Sequence, residues 1–591
     1  MSSINKLRQI VLSYPRLAER VKGRDDEIEK VCRIIDEIRA DYSRTVTKLL
    51  VKFMRHTFVR LYDSINFDSS NDLDFEQLVK TKNVILVPNH QSHADYMALN
   101  YVIFKKYRFS VYVAGGVNLN IFGIGKLFRK CGCFFIRRSF GNDILYKLTL
   151  EAYLYYLLHE GKPIEFFFEG GRSRSGKLLS PRYGLYHMLL EAHEFLPDDK
   201  KRELVFVPVS IVHEYVPEHR TLTMELEGAG KKKESLRQLL KVFKVFFYQL
   251  GSIHIRLGKP VSPKNISDRK KQVQTLAFDC FREVGRNMLV TPSSLLALIL
   301  LDGPSGALKW EEIFPRAKKI LNFCDKFEIP YTKSLIDEHL ERTLEEAIDL
   351  FINNSKVDEI GERNLGHVFY AVKENRRGDM LYFKNTILHH FLVPWIINVA
   401  WVNVFNGTII DTKSFNDILL NLRRQLEYEF YLPTAKQFFF QAREVVRWCV
   451  GKEDLMGIDG VINMVPRDFY KIVTGVGVFS KSLVYIHEAY YISALTIKAL
   501  ASELAEFKME DFWKKSREVY EWQKGIGRVI TFSESFSKPI LKNSIKYFIH
   551  QNNLICENGF YRVRDTEEFD WLLESLEKDL MDQLSFNIRE T

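Results

Sequence analysis

No uninterrupted apolar run in this sequence is long enough to cross a bilayer, which takes about 20 mostly apolar residues. The nearest approach, TILHHFLVPWIINVAWVNVF (386–405), contains His389, His390, Pro394, Asn398 and Asn403. Polar groups at membrane depth are expensive, so this stretch reads as a buried or interfacial helix. The N-terminus, MSSINKLRQIVLSYPRL, lacks the apolar core of a secretory signal, and the C-terminus, FNIRET, matches no peroxisomal or lipidation signal. Cysteine is scarce: the seven are an odd number, and only Cys131 and Cys133 lie close together. No histidine or second cysteine pair completes a metal set, so the cysteines read as reduced thiols in a cytosolic setting. Fixed-period repeats and low-complexity tracts are missing, which excludes solenoids and fibrous folds.

What is present is an ordinary globular balance, with 46% apolar and 27% charged residues over a length of 591. At roughly 100–200 residues per domain, that length implies several domains or one large core with appendages. The excess of 85 basic over 75 acidic residues, +10, points to an anionic partner, whether nucleic acid, lipid surface or phosphorylated substrate. A nucleic-acid surface needs a concentrated basic face with stacking aromatics. Here Lys and Arg fall mostly in short scattered clusters such as Lys231–Lys233.

Apolar spacing predicts helices through residues 1–75, ending in a polar, turn-rich linker at 66–74. Beyond Lys82, short β-rich runs alternate with helical stretches. The expected strands are VILVP (84–88), FSVYVAG (109–115), CFFIRR (133–138), IEFFFEG (164–170), LVFVPVSIV (204–212) and SIHIRLG (252–258). Near-continuous apolar strands between helices indicate an α/β layer buried on both faces. After about residue 265 strands become scarce and the chain reads as mostly helical, closing with a helix–hairpin unit around 540–563.

Four segments could carry chemistry. In VPNHQSHADY (87–96) a strand delivers His90 to a loop, with Asp95 five residues on. Five helical steps turn through about 500°, so the pair can meet only if His90 precedes the helix and Asp95 lies in its first turn. Ser92 and Asp95 have the spacing of a helix start. Asp95 could then hold His90 Nδ1–H and leave Nε2 as a base; the alternative is a plain helix cap beside a loop histidine. GCFFIRRSFGN (132–142) ends a strand in Arg137 and Arg138, which alternation sends to opposite faces. Arginine's planar fork suits phosphate, and a solvated strand end is the plainer reading. IEFFFEGGRSRSGK (164–177) runs a strand into Glu169, Gly170, Gly171, Arg172, Ser173, Arg174 and Lys177. Its Gly171–Lys177 spacing imitates a nucleotide loop, but Leu178 stands where a magnesium-binding hydroxyl belongs. LVFVPVSIVHEY (204–215) is interrupted by Pro208, which cannot donate to a ladder and so implies an edge or a bulge.

Together, NHQSHAD, GCFFIRR, FFFEGGRSRSGK and VPVSI resemble, in order, the four blocks of the glycerol-3-phosphate and dihydroxyacetone-phosphate acyltransferases. The resemblance spans roughly residues 80–405, with small departures at Cys133 and Gly171. It implies an α/β fold: an acyltransferase-type mixed β-sheet flanked by helices (76–290), between an N-terminal helical region (1–75) and a large mostly α-helical C-terminal region (291–591). It implies His90 as general base with Asp95 as its partner. Arg137, Glu169, Gly170, Arg172 and Ser173 match positions tied to the glycerol phosphate, Lys177 is expected to help hold that phosphate, and Pro208 matches the block linked to the acyl side. The implied activity is transfer of a fatty acyl group from acyl-CoA or acyl carrier protein to the sn-1 hydroxyl of glycerol 3-phosphate, without a cofactor, metal or acyl-enzyme. Alternatives are a dihydroxyacetone-phosphate or lysophosphatidate acyltransferase, or a silent lipid-binding scaffold. The expected location is peripheral, on the cytoplasmic face of the cell membrane, and nucleic acid is not an expected partner; the helix 237–250 could dock on anionic lipid or equally present a core-packing face with a solvated edge.

Overall fold

The fold comes from a computed structural model, which describes residues 3–585 apart from 70–72, 121–123, 138–140, 142, 217–249, 303–306, 362–367, 408, 410, 431, 452–465, 530 and 532–533. Arg138 and the expected helix at 237–250 therefore lie outside the described residues, the latter but for Leu250. The chain divides into two compact units. Among the described residues, the first comprises those within 3–173, 178–216 and 250–289; the second comprises those within 174–177 and 290–585.

The first unit is built on a seven-stranded sheet: β1 (Ile65–Ser69), β2 (Asn83–Pro88), β3 (Tyr112–Gly116), β4 (Cys133–Ile136), β5 (Ile164–Glu165), β6 (Leu204–His213) and β7 (Ile253–Leu257). Their spatial order is β1-β7-β6-β2-β5-β3-β4, parallel throughout except for the antiparallel β6–β7 pair. Every residue of β2 and β6 is buried. Two-sided burial is why these strands read as continuous apolar runs rather than alternating ones.

Three expectations need correction. The polar segment read as a linker contains all of β1 but its first residue, Ile65; the strand pairs in parallel with β7 at the sheet's edge. Its burial alternates between half-buried and exposed, so an edge strand with one wet face is hidden in a polar sequence. The strand expected over 164–170 ends at Glu165; the backbone makes one more bond, Phe166 N–H to the Leu86 carbonyl, and then turns. The strand carrying Pro208 is not an edge, since β6 lies between β7 and β2. The other expected device is present. On the β7 side the pairing shifts by one residue between Val209–Leu257 and Phe206–Val261. Pro208 sits at that irregularity, where the Gly258 N–H donates to its carbonyl and no ladder bond to its own nitrogen is needed.

The helices of the first unit are α1 (Ser3–Leu12), α2 (Pro15–Val21), α3 (Asp25–Ile38), α4 (Arg44–Leu61), α5 (Phe75–Thr81), α6 (Ala94–Tyr107), α7 (Ile124–Lys130), α8 (Ile144–His159), α9 (Gly184–Glu194) and α10 (Arg269–Asn287). The N-terminal helices do not form a region of their own: α1, α2 and α3 pack on α8, and α4 packs on α6 and α7. A buried polar clamp holds them. Glu151 on α8 accepts from the Tyr14 hydroxyl at 2.6 Å and from Arg16 at 2.7 Å, and Tyr14 is fully buried.

The second unit is mostly helical. Its long helix Val484–Glu503 is packed by Met509–Gly525, Lys538–His550 and Thr566–Ser585. The helix–hairpin expected near 540–563 is present, with strands Leu554–Glu557 and Phe560–Val563 joined through Asn558 and Gly559, both at positive φ. The apolar stretch near 386–405 forms a 14-residue helix, Leu392–Phe405, that buries Trp395 and Trp401 completely. Among the described residues no helix is long and apolar enough to cross a membrane.

Replacing Tyr14 by Phe leaves Glu151 one donor short in a buried place, which should cost about 1–3 kcal/mol. Denaturant unfolding should register that loss, and limited proteolysis should cut earlier within α1–α3. Unchanged cleavage there would remove Glu151 as the clamp.

Candidate active site

The site begins with how β2 ends. After Pro88 the Asn89 N–H makes a last backbone bond to the Val209 carbonyl, and its side chain then extends the pairing: Nδ2 donates to the Ile211 carbonyl at 2.9 Å, and Oδ1 accepts the Ile211 N–H at 2.7 Å. The next residue, His90, is thereby delivered off the sheet at a fixed point beside β6. Four residues later α6 begins at Ala94, with the Ser92 hydroxyl accepting the Ala94 N–H. Asp95 lies in that helix's first turn, the geometry the five-residue spacing requires.

Asp95 has no solvent exposure and its carboxylate is saturated. Oδ2 accepts from His90 Nδ1 at 2.8 Å and from the N–H groups of Gln91 and Ser92 at 2.7 and 2.9 Å. Oδ1 accepts from His213 Nε2 at 2.6 Å. Burial pushes the Asp95 carboxyl up, but hydrogen bonds from His213 and His90 outweigh it and hold the group below the usual carboxylate range. His90 is mostly buried and lies against the Phe167 ring, with centroids 4.2 Å apart. Its Nε2 has no hydrogen-bond partner among the described residues.

Glu169 ties the third block to the first. Its Oε1 accepts the His90 N–H at 2.9 Å and its Oε2 accepts the Leu179 N–H at 3.2 Å, while the Ser173 N–H donates to the His90 carbonyl at 2.8 Å. Burial pushes the Glu169 carboxyl well up, opposed by the two backbone donors. Gly170 occupies the left-handed region at φ +68°, where a side chain is strained. Nearby, fully buried Glu165 accepts from Asn100 at 2.8 Å, and burial raises it to about 8.

The structure thus brings His90, Asp95, Glu169 and Ser173 together. Arg172, half-buried, precedes Ser173 in the same loop. Arg137 is engaged elsewhere: Nε and Nη2 grip both oxygens of Glu37 at 2.8 and 2.6 Å, and Nη1 reaches Asp143 at 3.0 Å. Three of its five N–H groups are so used, leaving two. Pro208 stands beside Val87 in the β2–β6 register. Lys177 departs most from expectation. It belongs to the second unit, buried, with its ammonium paired to Glu429 at 2.6 Å. Chain packing explains this: Gly176, at φ +81°, lies so close to the Tyr382 carbonyl that a Cβ would meet it at 2.0 Å, and Asn385 donates to the Ser175 carbonyl. No helix follows Lys177 until Gly184, so the nucleotide-loop spacing lacks its helix N-terminus. Sequence reasoning missed His213 and the structural use of Asn89 and Glu169. Only the β2–β6 pairing brings His213 to Asp95, 118 residues away.

Comparison with known proteins now bears on this geometry. The profile described as the glycerol-3-phosphate acyltransferase C-terminal region matches residues 223–557, more than half of the chain. The chain belongs to the glycerol-3-phosphate acyltransferase family. A second profile, described as acyltransferase, matches residues 72–212 and so encloses His90 and Asp95. Among curated members, a glycerol-3-phosphate acyltransferase of Haemophilus influenzae is 29% identical over 420 residues, covering 66% of this chain and 50% of the relative. One of Pseudomonas aeruginosa is 31% identical over 460 residues, covering 74% and 52%. The chain spans about half the length of the curated relatives it matches. A solved 1-acyl-sn-glycerophosphate acyltransferase from Thermotoga maritima aligns with 40% of this family member and 78% of its own chain, at 20% identity and a TM-score of 0.25. That alignment is too loose to bear on the fold.

Glu165 gives a pH test. Its folded pKa is raised, so the stability its buried neutral form supplies is present below the unfolded value of about 4.3 and is lost as pH rises towards about 8. Glu165→Gln should therefore gain stability relative to wild type as pH rises from about 5 to 8, seen as a widening difference in Tm. A pH-independent difference would contradict the assignment.

Proposed function

We propose that this chain transfers a fatty acyl group from an acyl thioester, acyl-CoA or acyl carrier protein, to the sn-1 hydroxyl of glycerol 3-phosphate, giving lysophosphatidic acid. The observation that carries this reading is the His90–Asp95 pair: a base oriented through Nδ1 by a saturated carboxylate, with Nε2 unengaged among the described residues. Membership of the family supplies the substrate class. His90 Nε2 takes the hydroxyl proton as that oxygen attacks the thioester carbonyl. The tetrahedral adduct collapses with loss of the thiolate, which recovers the proton from His90. No covalent acyl-enzyme forms. Asp95 keeps the imidazole in the Nδ1–H tautomer and stabilises its protonated form. Arg172 and the remaining N–H groups of Arg137 hold the acceptor's phosphate; charged bidentate bonds fix the hydroxyl's position as well as binding it. Lys177, committed to Glu429, acts through the loop rather than on the phosphate.

Incubating the purified protein with labelled glycerol 3-phosphate or dihydroxyacetone phosphate, each with acyl-CoA or acyl carrier protein, and identifying the lipid tests the reading. Acylation of dihydroxyacetone phosphate alone would replace the acceptor. His90→Ala should lower kcat by ~10²–10⁴ while leaving the fold intact, and near-normal transfer would end the general-base assignment. Arg172→Ala should raise the acceptor KM, and an unchanged KM and kcat would remove it from the phosphate site.

The acyl chain and the product partition into bilayers, so we place the protein peripherally on the cytoplasmic face of the cell membrane. Helix α4 supports a docking role. Its sequence, RTVTKLLVKFMRHTFVRL, carries five Lys or Arg residues and no acid, and it exposes Leu49 and Phe53 at 64% and 59%. Cations around exposed apolar side chains suit an anionic lipid surface. At about 1 kcal/mol per cation, Lys48→Ala with Lys52→Ala should weaken sedimentation with anionic vesicles roughly thirtyfold at low salt. Equal binding by wild type and variant would rule this helix out.

A further inference from the structure

Asp95 is shared by two imidazoles, and the proposed general base accounts for one. His213 ends β6, its side chain has no solvent exposure, and its Nε2 lies 2.6 Å from Asp95 Oδ1. It falls outside the four sequence blocks and one residue beyond the matched acyltransferase profile. An ionised carboxylate only accepts, so both rings must present an N–H to it: His90 through Nδ1, His213 through Nε2. His213 Nδ1 is buried without a hydrogen-bond partner among the described residues. The ring's one hydrogen bond among the described residues is therefore the donation to Asp95.

We propose that His213 is a positioning residue for the acyl-transfer reaction: it locks the Asp95 carboxylate and, by drawing on its charge, sets the basicity of His90. This rests on the general-base reading of His90. Glu165 from β5 and Glu169 just beyond it are buried carboxyls that Asp95 repels. The Tyr62 ring lies 6.4 Å from the His213 ring, centre to centre. Glu214, next along the chain, is occupied by the Ser252 N–H and His254. None of these donates to Asp95, so the His213 N–H is the sole contact the structure gives Oδ1 among the described residues.

Removing that donor concentrates the Asp95 charge on His90, stabilises the imidazolium and raises its pKa. A base must be unprotonated to act, so the acidic limb of kcat/KM should move to higher pH. His213→Leu should show a rise of about half a unit to one unit. His213→Gln, whose amide nitrogen can stand in for Nε2, should restore the limb. The pH dependence of His90 modification by diethylpyrocarbonate, followed by peptide mass spectrometry, reports the same ionisation without any acyl transfer. It separates failure of this proposal from failure of the reaction assignment. If His213→Leu does not fold, His213→Asn, too short to reach Asp95, takes its place. A midpoint that is the same in wild type and in the folded Leu or Asn variant overturns the proposal. So does a Gln variant shifted as far as Leu.

Discussion

A single buried carboxylate orders the end of the sheet that carries His90. Stripping water from an ionised carboxyl costs several kcal/mol unless donors replace it. Asp95 has four, and each comes from a segment that must be in place: the loop after β2 supplies two backbone N–H groups and His90, and the end of β6 supplies His213. Remove the loop's conformation and the charge is unsatisfied; remove the charge and the loop loses the three bonds that His90, Gln91 and Ser92 make to it. The geometry of His90 is thus a consequence of solvating Asp95 by protein rather than by water. This is the kind of preorganisation that lets a base act without reorienting during the reaction.

Buried charge is handled in two ways. Around Asp95 lie Glu165 and Glu169, whose donors are an amide and backbone N–H groups, so burial drives both towards the neutral form. In the second unit four buried pairs join opposite charges: Arg377 with Glu534, Lys384 with Asp302, Lys177 with Glu429 and Lys356 with Asp379. Buried pairs of that kind add little net stability but penalise any arrangement that separates them. They favour one packing of the helices over others that would bury the same apolar surface.

How much of this is legible in the sequence follows from the range of each interaction. The His90–Asp95 contact is local, and helix geometry alone says how the two can meet. The apolar strands and the Asn558–Gly559 hairpin are also local patterns. The edge strand β1 escapes because two of its five residues are exposed and its partner β7 is 188 residues away. Lys177 misleads for the same reason. A lysine in a glycine- and arginine-rich loop has the composition of a phosphate site, and only packing across 252 residues gives its ammonium to Glu429. His213 carries no local signal, since a histidine ending an apolar strand is unremarkable until the neighbouring strand is known.

The β2–β6 register converts those distant positions into one site. Val87 stands opposite Pro208 and Pro88 opposite Val209, and Asn89 then closes on Ile211 with both atoms of its amide. In a pleated strand successive side chains alternate faces, so a one-residue slip would turn His213 away from Asp95 and present Val212 in its place. Asn89 resists that slip at the end of the ladder nearest the site. The irregularity at Pro208 falls on the opposite, β7, side of β6. The bend that proline imposes is thereby absorbed where it does not disturb the strand pair that carries His90 and His213.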